Sequence, residues 1–225
     1  MEQQSEFRNR VVIITGGGQG IGRAYARAFA AAGAITVIAE VNVPAAEVVA
    51  SGLRAASHQA VSIPTDIADS DSVEQLISTV ISTYGRIDIL INNASIFSTL
   101  KMRPFTEIPL EEWERVLKVN ITGTFLMSRA VVPAMGKAGW GRIINISSAA
   151  VTMGRPNYLH YTTSKAAVIG MTRSMAKELG PKGITVNAVL PGATDTEVER
   201  ATVTAQQKAA MIAMRSIPRD RKSVV

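Results

Sequence analysis

The chain has no cysteine and only two histidines, His58 and His160, among its 225 residues. Without thiols there can be no disulfide framework, no thiolate zinc site and no cysteine nucleophile, a pattern that suits a reducing compartment. Two histidines exclude a histidine-rich metal site, so no metal is expected, and neither stands at a spacing that recommends a Ser-His-Asp triad. Both are read as surface or rim residues. Aromatic residues are scarce, at 5%. A nucleic-acid binder usually carries a basic stripe interleaved with aromatics. Here the net charge is +6, its basic residues are scattered, and the stretch from Arg215 to Val225 alone holds four of them against one acidic residue. Nucleic acid is therefore not an expected partner. No apolar run approaches the roughly 20 residues of a membrane helix. The opening Met1 to Phe7 places Glu2 and Glu6 where a signal peptide needs a basic region and then an apolar run. The expectation is a cytoplasmic protein with no membrane partner.

What is present is an ordinary globular composition, 47% apolar and 19% charged, enough to bury a substantial core in one domain spanning 1–225. Short β-branched runs alternate with longer amphipathic segments, as in βα units that feed a parallel sheet. Six strands are predicted, at Val11–Thr15, Ile35–Ala39, Ala60–Ile63, Ile87–Ile91, Arg142–Ile146 and Ile184–Val189. Helical patterns follow the first five, and a last one covers Ala201–Met214. Runs such as Val11 to Ile14 are apolar throughout, as in a strand covered by helices on both faces. Asp69 and its neighbours form a helix start, with the end near Gly85, and Pro109 opens another helix with carboxylates in its first turn.

Polar and glycine signals collect at the carboxyl ends of these strands, the edge of an open doubly wound sheet where ligands bind. Gly16, Gly20 and Gly22 lie between the first strand and its helix. They permit a tight turn and a close approach of backbone amides to a pyrophosphate, or simply a turn without a ligand. Glu40 ends the second strand, eighteen residues after Gly22, placed to accept hydrogen bonds from a ribose diol. A carboxylate there repels a 2′-phosphate, which favours NAD over NADP. Tyr161 and Lys165 are four apart in a helical pattern running through Leu179 and so share a face. An ammonium near a phenol favours the phenolate and prepares it for proton exchange. Ser148, at a strand end, could donate to the same oxygen, whereas Ser147 reads equally as a turn residue. Asn120 is a poor helix former inside a helical stretch, either a local irregularity or a polar group that holds water.

Taken in order, these residues resemble the short-chain dehydrogenases/reductases, from about Arg10 to Pro218. The resemblance implies a Rossmann fold with strand order 3-2-1-4-5-6-7. It implies coenzyme contacts from Gly16, Gly18, Gln19, Gly20, Ile21 and Gly22, then from Glu40, Asp66, Ile67, Asn93 and Ala94. Beyond these it implies Tyr161, Lys165, Pro191, Gly192, Thr194 and Thr196. The catalytic set it implies is Asn120, Ser148, Tyr161 and Lys165. Tyr161 would pass the proton, Ser148 orient the carbonyl, Lys165 hold the nicotinamide ribose, and Asn120 anchor a relay water. By position the substrate pocket draws on Ser95, Ile96 and Phe97, on Ala149, Ala150 and Met153, and on Tyr158, with Val198, Met211 and Met214 in a lid. It reads as mostly apolar.

Two departures from the family pattern stand out. Ser95 replaces the glycine usual after Asn92-Asn93-Ala94, and the chain stops at Val225, without the family's last helix and strand. The second leaves Ile184–Val189 as an expected sheet edge, makes Arg219–Lys222 a connection to a missing helix, and leads to the expectation of a truncated form of a homodimer or homotetramer. The function expected is NAD-dependent interconversion of a hydrophobic or aryl secondary alcohol and its ketone. The alternatives are an NADPH-dependent 3-oxoacyl-thioester reductase and, from another class, a non-catalytic nucleotide-binding scaffold.

Overall fold

A computed structural model describes residues 6–198 together with 206, 209 and 213. The expected helix over Ala201–Met214 lies outside the described residues apart from those last three. Met211, Met214 and the tail Arg219–Lys222 lie outside them altogether.

Six parallel strands form one sheet: β1 Val11–Thr15, β2 Ile35–Glu40, β3 Ala60–Pro64, β4 Ile89–Asn92, β5 Gly141–Ile146 and β6 Ile184–Val189. Their order is β3-β2-β1-β4-β5-β6, so the chain reverses direction across the sheet between β1 and β4. Loops diverge at that reversal and leave a crevice at the carboxyl ends of the two strands. Strand β4 begins at Ile89 rather than the expected Ile87. The reason is Asp88, whose carboxylate accepts hydrogen bonds from the Val11 N–H and from Arg10 and Arg86 instead of facing outward in a strand.

Among the described residues seven α-helices surround the sheet: α1 Gly20–Ala31, α2 Val43–Ala55, α3 Ser70–Tyr84, α4 Leu110–Leu117, α5 Thr124–Ala138, α6 Ala150–Met153 and α7 Leu159–Leu179. Side chains alternate across each strand, and both sets are apolar because both faces are buried. Val12, Ile14 and Ile38 pack on α1 and α2 through Ala26, Ala30 and Ala50. Val11, Ile13, Leu90 and Ile143 pack on α3 and α5 through Leu76, Val131 and Met135. Local signals set the helix ends. The Asp69 side chain accepts from the Asp71 N–H at the start of α3, and Gly85 closes it at φ 71°. Among the described residues β6 is a sheet edge, with Thr185 and Asn187 exposed and Ile184 and Val186 buried.

A polar chain crosses the larger core. Asn92 Nδ2 on β4 donates to Asn145 Oδ1 on β5 at 2.8 Å and to Ser128 Oγ on α5 at 3.0 Å. Asn145 Nδ2 donates to Thr172 Oγ1 on α7 at 2.9 Å. Buried amides are costly unless paired, so the network fixes one mutual setting of two strands and two helices, the elements whose ends carry the crevice. Replacing Asn145 with leucine leaves the buried Asn92 amide only its Ser128 bond and loses the Thr172 bond. Urea unfolding is expected to show a loss of about 1–3 kcal/mol.

Candidate active site

Strand β1 passes into α1 through Gly16–Gln19, where Gly16 and Gly20 take φ values of 65° and 57°. A side chain on Gly22 would overlap the Gly16 carbonyl oxygen and Asn93 Nδ2, so the turn packs backbone against backbone. Gln19 precedes α1 without a side-chain cap, leaving first-turn amides for another acceptor. Glu197 supplies one: its Oε1 accepts from the Gly20 N–H at 2.7 Å, and its Oε2 pairs with Arg23 at 3.0 Å. Burial works to raise the Glu197 carboxyl, but the Gly20 N–H and the nearby Arg23 and Arg27 hold it below the usual carboxylate range. This turn thus already holds an anion at the helix amino end.

Glu40, almost fully buried, has a role absent from the sequence reading. Its Oε2 accepts from the Gly18 N–H at 3.2 Å, and its Oε1 accepts from Val41 and Asn42 N–H groups at 3.0 and 3.2 Å. The carboxylate staples the end of β2 to the glycine turn. Asp66 is exposed just past β3, its Oδ1 accepting from the Ala68 N–H. Ile67 is buried beneath Gly123, where a side chain would collide with it. Across the crevice Thr15 Oγ1 accepts from the Asn93 and Ala94 N–H groups at 3.0 Å each. Asn93 Nδ2 in turn donates to the Thr15 and Gly16 carbonyls.

On the other side α7 brings Tyr161 and Lys165 to the crevice one turn apart, both buried. Lys165 Nζ donates to the Ile146 carbonyl at 2.8 Å and lies 5.8 Å from the Tyr161 ring centre. Burial pushes the ammonium down to about 8, so it remains charged at neutral pH. Ser147, which the sequence leaves as a possible turn residue, is buried and donates its hydroxyl to the Lys165 carbonyl at 2.7 Å, pinning α7 to the end of β5. Ser148 Oγ accepts from the Ala150 N–H. The Ser147 and Ala149 N–H groups donate to the Val189 and Pro191 carbonyls, which hold the Pro191–Gly192 segment against Ser148. Thr194 and Thr196 continue it, with hydroxyls bonded to the Gly192 carbonyl and the Val198 N–H.

Asn120 sits in a π-helical turn, Lys118–Gly123, between α4 and α5. Its Oδ1 accepts from the Ile96 N–H at 2.8 Å, and its Nδ2 donates to the Ile96 carbonyl and to Ser164 Oγ on α7. The side chain therefore ties the loop after β4 to the helix that bears Tyr161. His160 is not a rim residue. It is fully buried, its Nδ1 accepts from the Tyr161 N–H at 3.0 Å, and its other ring nitrogen faces Glu112 at 3.2 Å. A first-turn amide of α7 lacks an intrahelical partner, and the imidazole provides one.

The cleft between these walls is lined by Ile21, Asn93, Ser95, Phe97, Ser148, Ala149, Ala150, Met153, Tyr161, Lys165, Pro191 and Gly192, all expected, and by Ile146, Ser147, Arg155 and Ala193. Three expected pocket residues do not line it. Ile96 packs against a small core of Leu100 and Val116, its backbone bonded to the Asn120 side chain. Tyr158 is buried behind Phe97, its large ring filling a small core with Leu100 and Val116. Val198 instead approaches Gly20 at the coenzyme end, because the segment after Gly192 turns back toward α1. Arg155 breaks the apolar character expected of this wall.

The glycine turn, the fully parallel sheet and the Tyr161–Lys165 pair make one family the natural comparison. Its sequence pattern, that of the short chain dehydrogenases, matches residues 10–207. The chain belongs to the short-chain dehydrogenase family. It is 42% identical over 191 residues to a 3-oxoacyl-[acyl-carrier-protein] reductase of Synechocystis sp., covering 84% of this chain and 76% of that protein. It is 38% identical to a cis-4-hydroxycyclohexanecarboxylate dehydrogenase of Sinomonas cyclohexanicum, covering 89% and 82%. The crystal structure of a 3-ketoacyl-(acyl-carrier-protein) reductase from Brucella melitensis complexed with NADH superposes with a TM-score of 0.89 at 30% identity, over 97% of this chain and 87% of that one. An oxidoreductase on a Rossmann-type sheet is thus established, and no described helix is long and apolar enough to cross a membrane.

The Lys165 pKa carries a stability signature. Its folded value, about 8, lies below the unfolded value of about 10.4, so the unfolded chain binds more protons between them and stability rises with pH. Relative to Lys165→Met, the wild type is expected to gain about 2 kcal/mol of unfolding free energy across that window, read by denaturant titration at its two ends. A flat difference would place the ammonium in water.

Proposed function

We propose that the protein interconverts a secondary alcohol and its ketone with NAD(H), Tyr161 moving the proton. The observation that carries this reading is the convergence of Tyr161, Lys165 and Ser148 on one cleft that begins at the glycine turn. That turn fits a dinucleotide, since its backbone packing leaves no room for side chains and its amide already holds a carboxylate. When bound, the nicotinamide accepts or gives the hydride, chemistry the protein itself lacks.

The chain's own residues supply orientation and proton transfer. The Tyr161 hydroxyl gives a proton to the oxygen of a ketone being reduced and takes it back in oxidation. Lys165, held by the Ile146 carbonyl, keeps a positive charge beside that phenol and stabilises its deprotonated form. Ser148 donates a hydrogen bond to the reacting oxygen, while the Ala150 N–H fixes its hydroxyl. Asn120 acts on this wall by holding the Ile96 loop against Ser164. A 3-oxoacyl thioester is the second reading for the substrate, favoured by the Synechocystis relative's name. NAD is favoured over NADP by the Glu40 carboxylate at the end of β2 beside the glycine turn, whose negative charge would repel a 2′-phosphate.

Tyr161→Phe removes only the hydroxyl and is expected to lower kcat by about a hundredfold or more while NADH affinity, read by fluorescence titration, stays near wild type. A variant that retains full turnover would assign the proton to another group. For the coenzyme, Glu40→Gln keeps an oxygen acceptor for the Gly18 N–H yet removes the charge. It is expected to narrow the preference for NADH over NADPH in the same titration. Tighter NADPH binding by the wild type would reverse the assignment.

A further inference from the structure

We propose that Arg155 is the substrate-anchoring residue of the cleft, and that the alcohol or ketone it handles bears a carboxylate. The inference deepens the reading above and rests on it. Arg155 lies between α6 and α7, where its own N–H caps the Ala150 carbonyl. Its guanidinium stands 4.6 Å from the Tyr158 ring centre and 6.0 Å from that of Phe97. Tyr158 is buried and fixed in its small core, so the platform beneath the guanidinium is rigid. Phe97 lies 4.3 Å, centre to centre, from Tyr161. One aromatic ring therefore separates the cation from the residue that moves the proton.

Two further observations point to an anion. No described carboxylate pairs with Arg155, and among the described arginines without such a partner it is the one that lines the cleft. The charged residues lining the cleft are Arg155 and Lys165, both cationic, and Lys165 is committed to the Ile146 carbonyl. A guanidinium stacked on an aromatic face keeps its edge donors free, and that fork matches the two oxygens of a carboxylate. A substrate with its carbonyl at Tyr161 and its carboxylate at Arg155 would span the wall made by Phe97, whose ring packs against the apolar spacer. Cation and aromatic wall together select an oxo acid over a neutral ketone.

The test compares oxo carboxylates of graded chain length with their methyl esters, in wild type, Arg155→Met and Arg155→Lys. In wild type the acid is expected to exceed its ester in kcat/KM by about ten- to a hundredfold at the best length, the strength of a charge-assisted pair. Arg155→Met should erase that ratio and Arg155→Lys restore part of it, because lysine keeps the charge without the fork. Calorimetry on the NADH-loaded protein adds a readout independent of turnover, with a saturated carboxylate and its amide as probes. Preferred binding of the carboxylate, lost in Arg155→Met, supports the proposal even if no ketone is reduced, which would overturn only the proposed alcohol–ketone interconversion. Equal handling of acid and ester by the wild type, or a preference that survives in Arg155→Met, overturns it. Should Arg155→Met not fold, the wild-type ratio and the Arg155→Lys variant decide.

Discussion

The crevice depends on one knot of hydrogen bonds between the ends of β1 and β4. Thr15 Oγ1 takes the Asn93 and Ala94 amides, and Asn93 Nδ2 returns to the Thr15 and Gly16 carbonyls. At a strand reversal the two chains leave in opposite directions, so their last backbone groups have no ladder partners of their own. Side chains supply the missing partners here, and they hold the glycine turn at a fixed distance from the loop that carries Ser95 and Phe97. The close approach of Gly22 to Gly16 and Asn93 follows from the same knot.

The opposite wall is fixed by a different device. Ser147 binds the Lys165 carbonyl, Asn120 bridges to Ser164, and Glu112 on α4 faces His160, whose ring receives the Tyr161 amide, so three elements grip the first turns of α7. A side chain that must hand over a proton gains from having few alternative positions, and such support from surrounding residues supplies that restriction. The ammonium of Lys165 stays buried because its hydrogen bond to the Ile146 carbonyl offsets part of the lost hydration.

The strands and most residues of the cleft were readable in the sequence because they rest on local signals: β-branched runs, glycines at the turn, a cap at Asp69, and Tyr161 and Lys165 one helical turn apart. The strand order came with the family resemblance. What was not readable depends on contacts between distant segments. Nothing near His160 in sequence announces that Glu112 will lie beside it, and the isolated histidine was read as exposed. Asn120 signalled an irregularity, but whether its amide would hold water or the Ile96 loop depended on where that loop ran. Tyr158 and Phe97 are similar as residue types, and only packing sends one beneath the other. Arg155 escaped notice because its meaning comes from its neighbours: a lone arginine in a polar connection is ordinary, whereas one stacked at a cleft and lacking a carboxylate is not.

The Glu197 carboxylate at the Gly20 amide makes the chain a ligand for itself. An anion arriving at the amino end of α1 would meet a competitor tethered only a few residues beyond the Pro191–Gly192 segment, at an effective concentration on the order of millimolar. The affinity for a dinucleotide that must displace it would be the intrinsic one reduced by the fraction of molecules in which the carboxylate has let go. Displacement would also free Arg23 from its internal ion pair and so leave a cation beside an anion bound at that helix end.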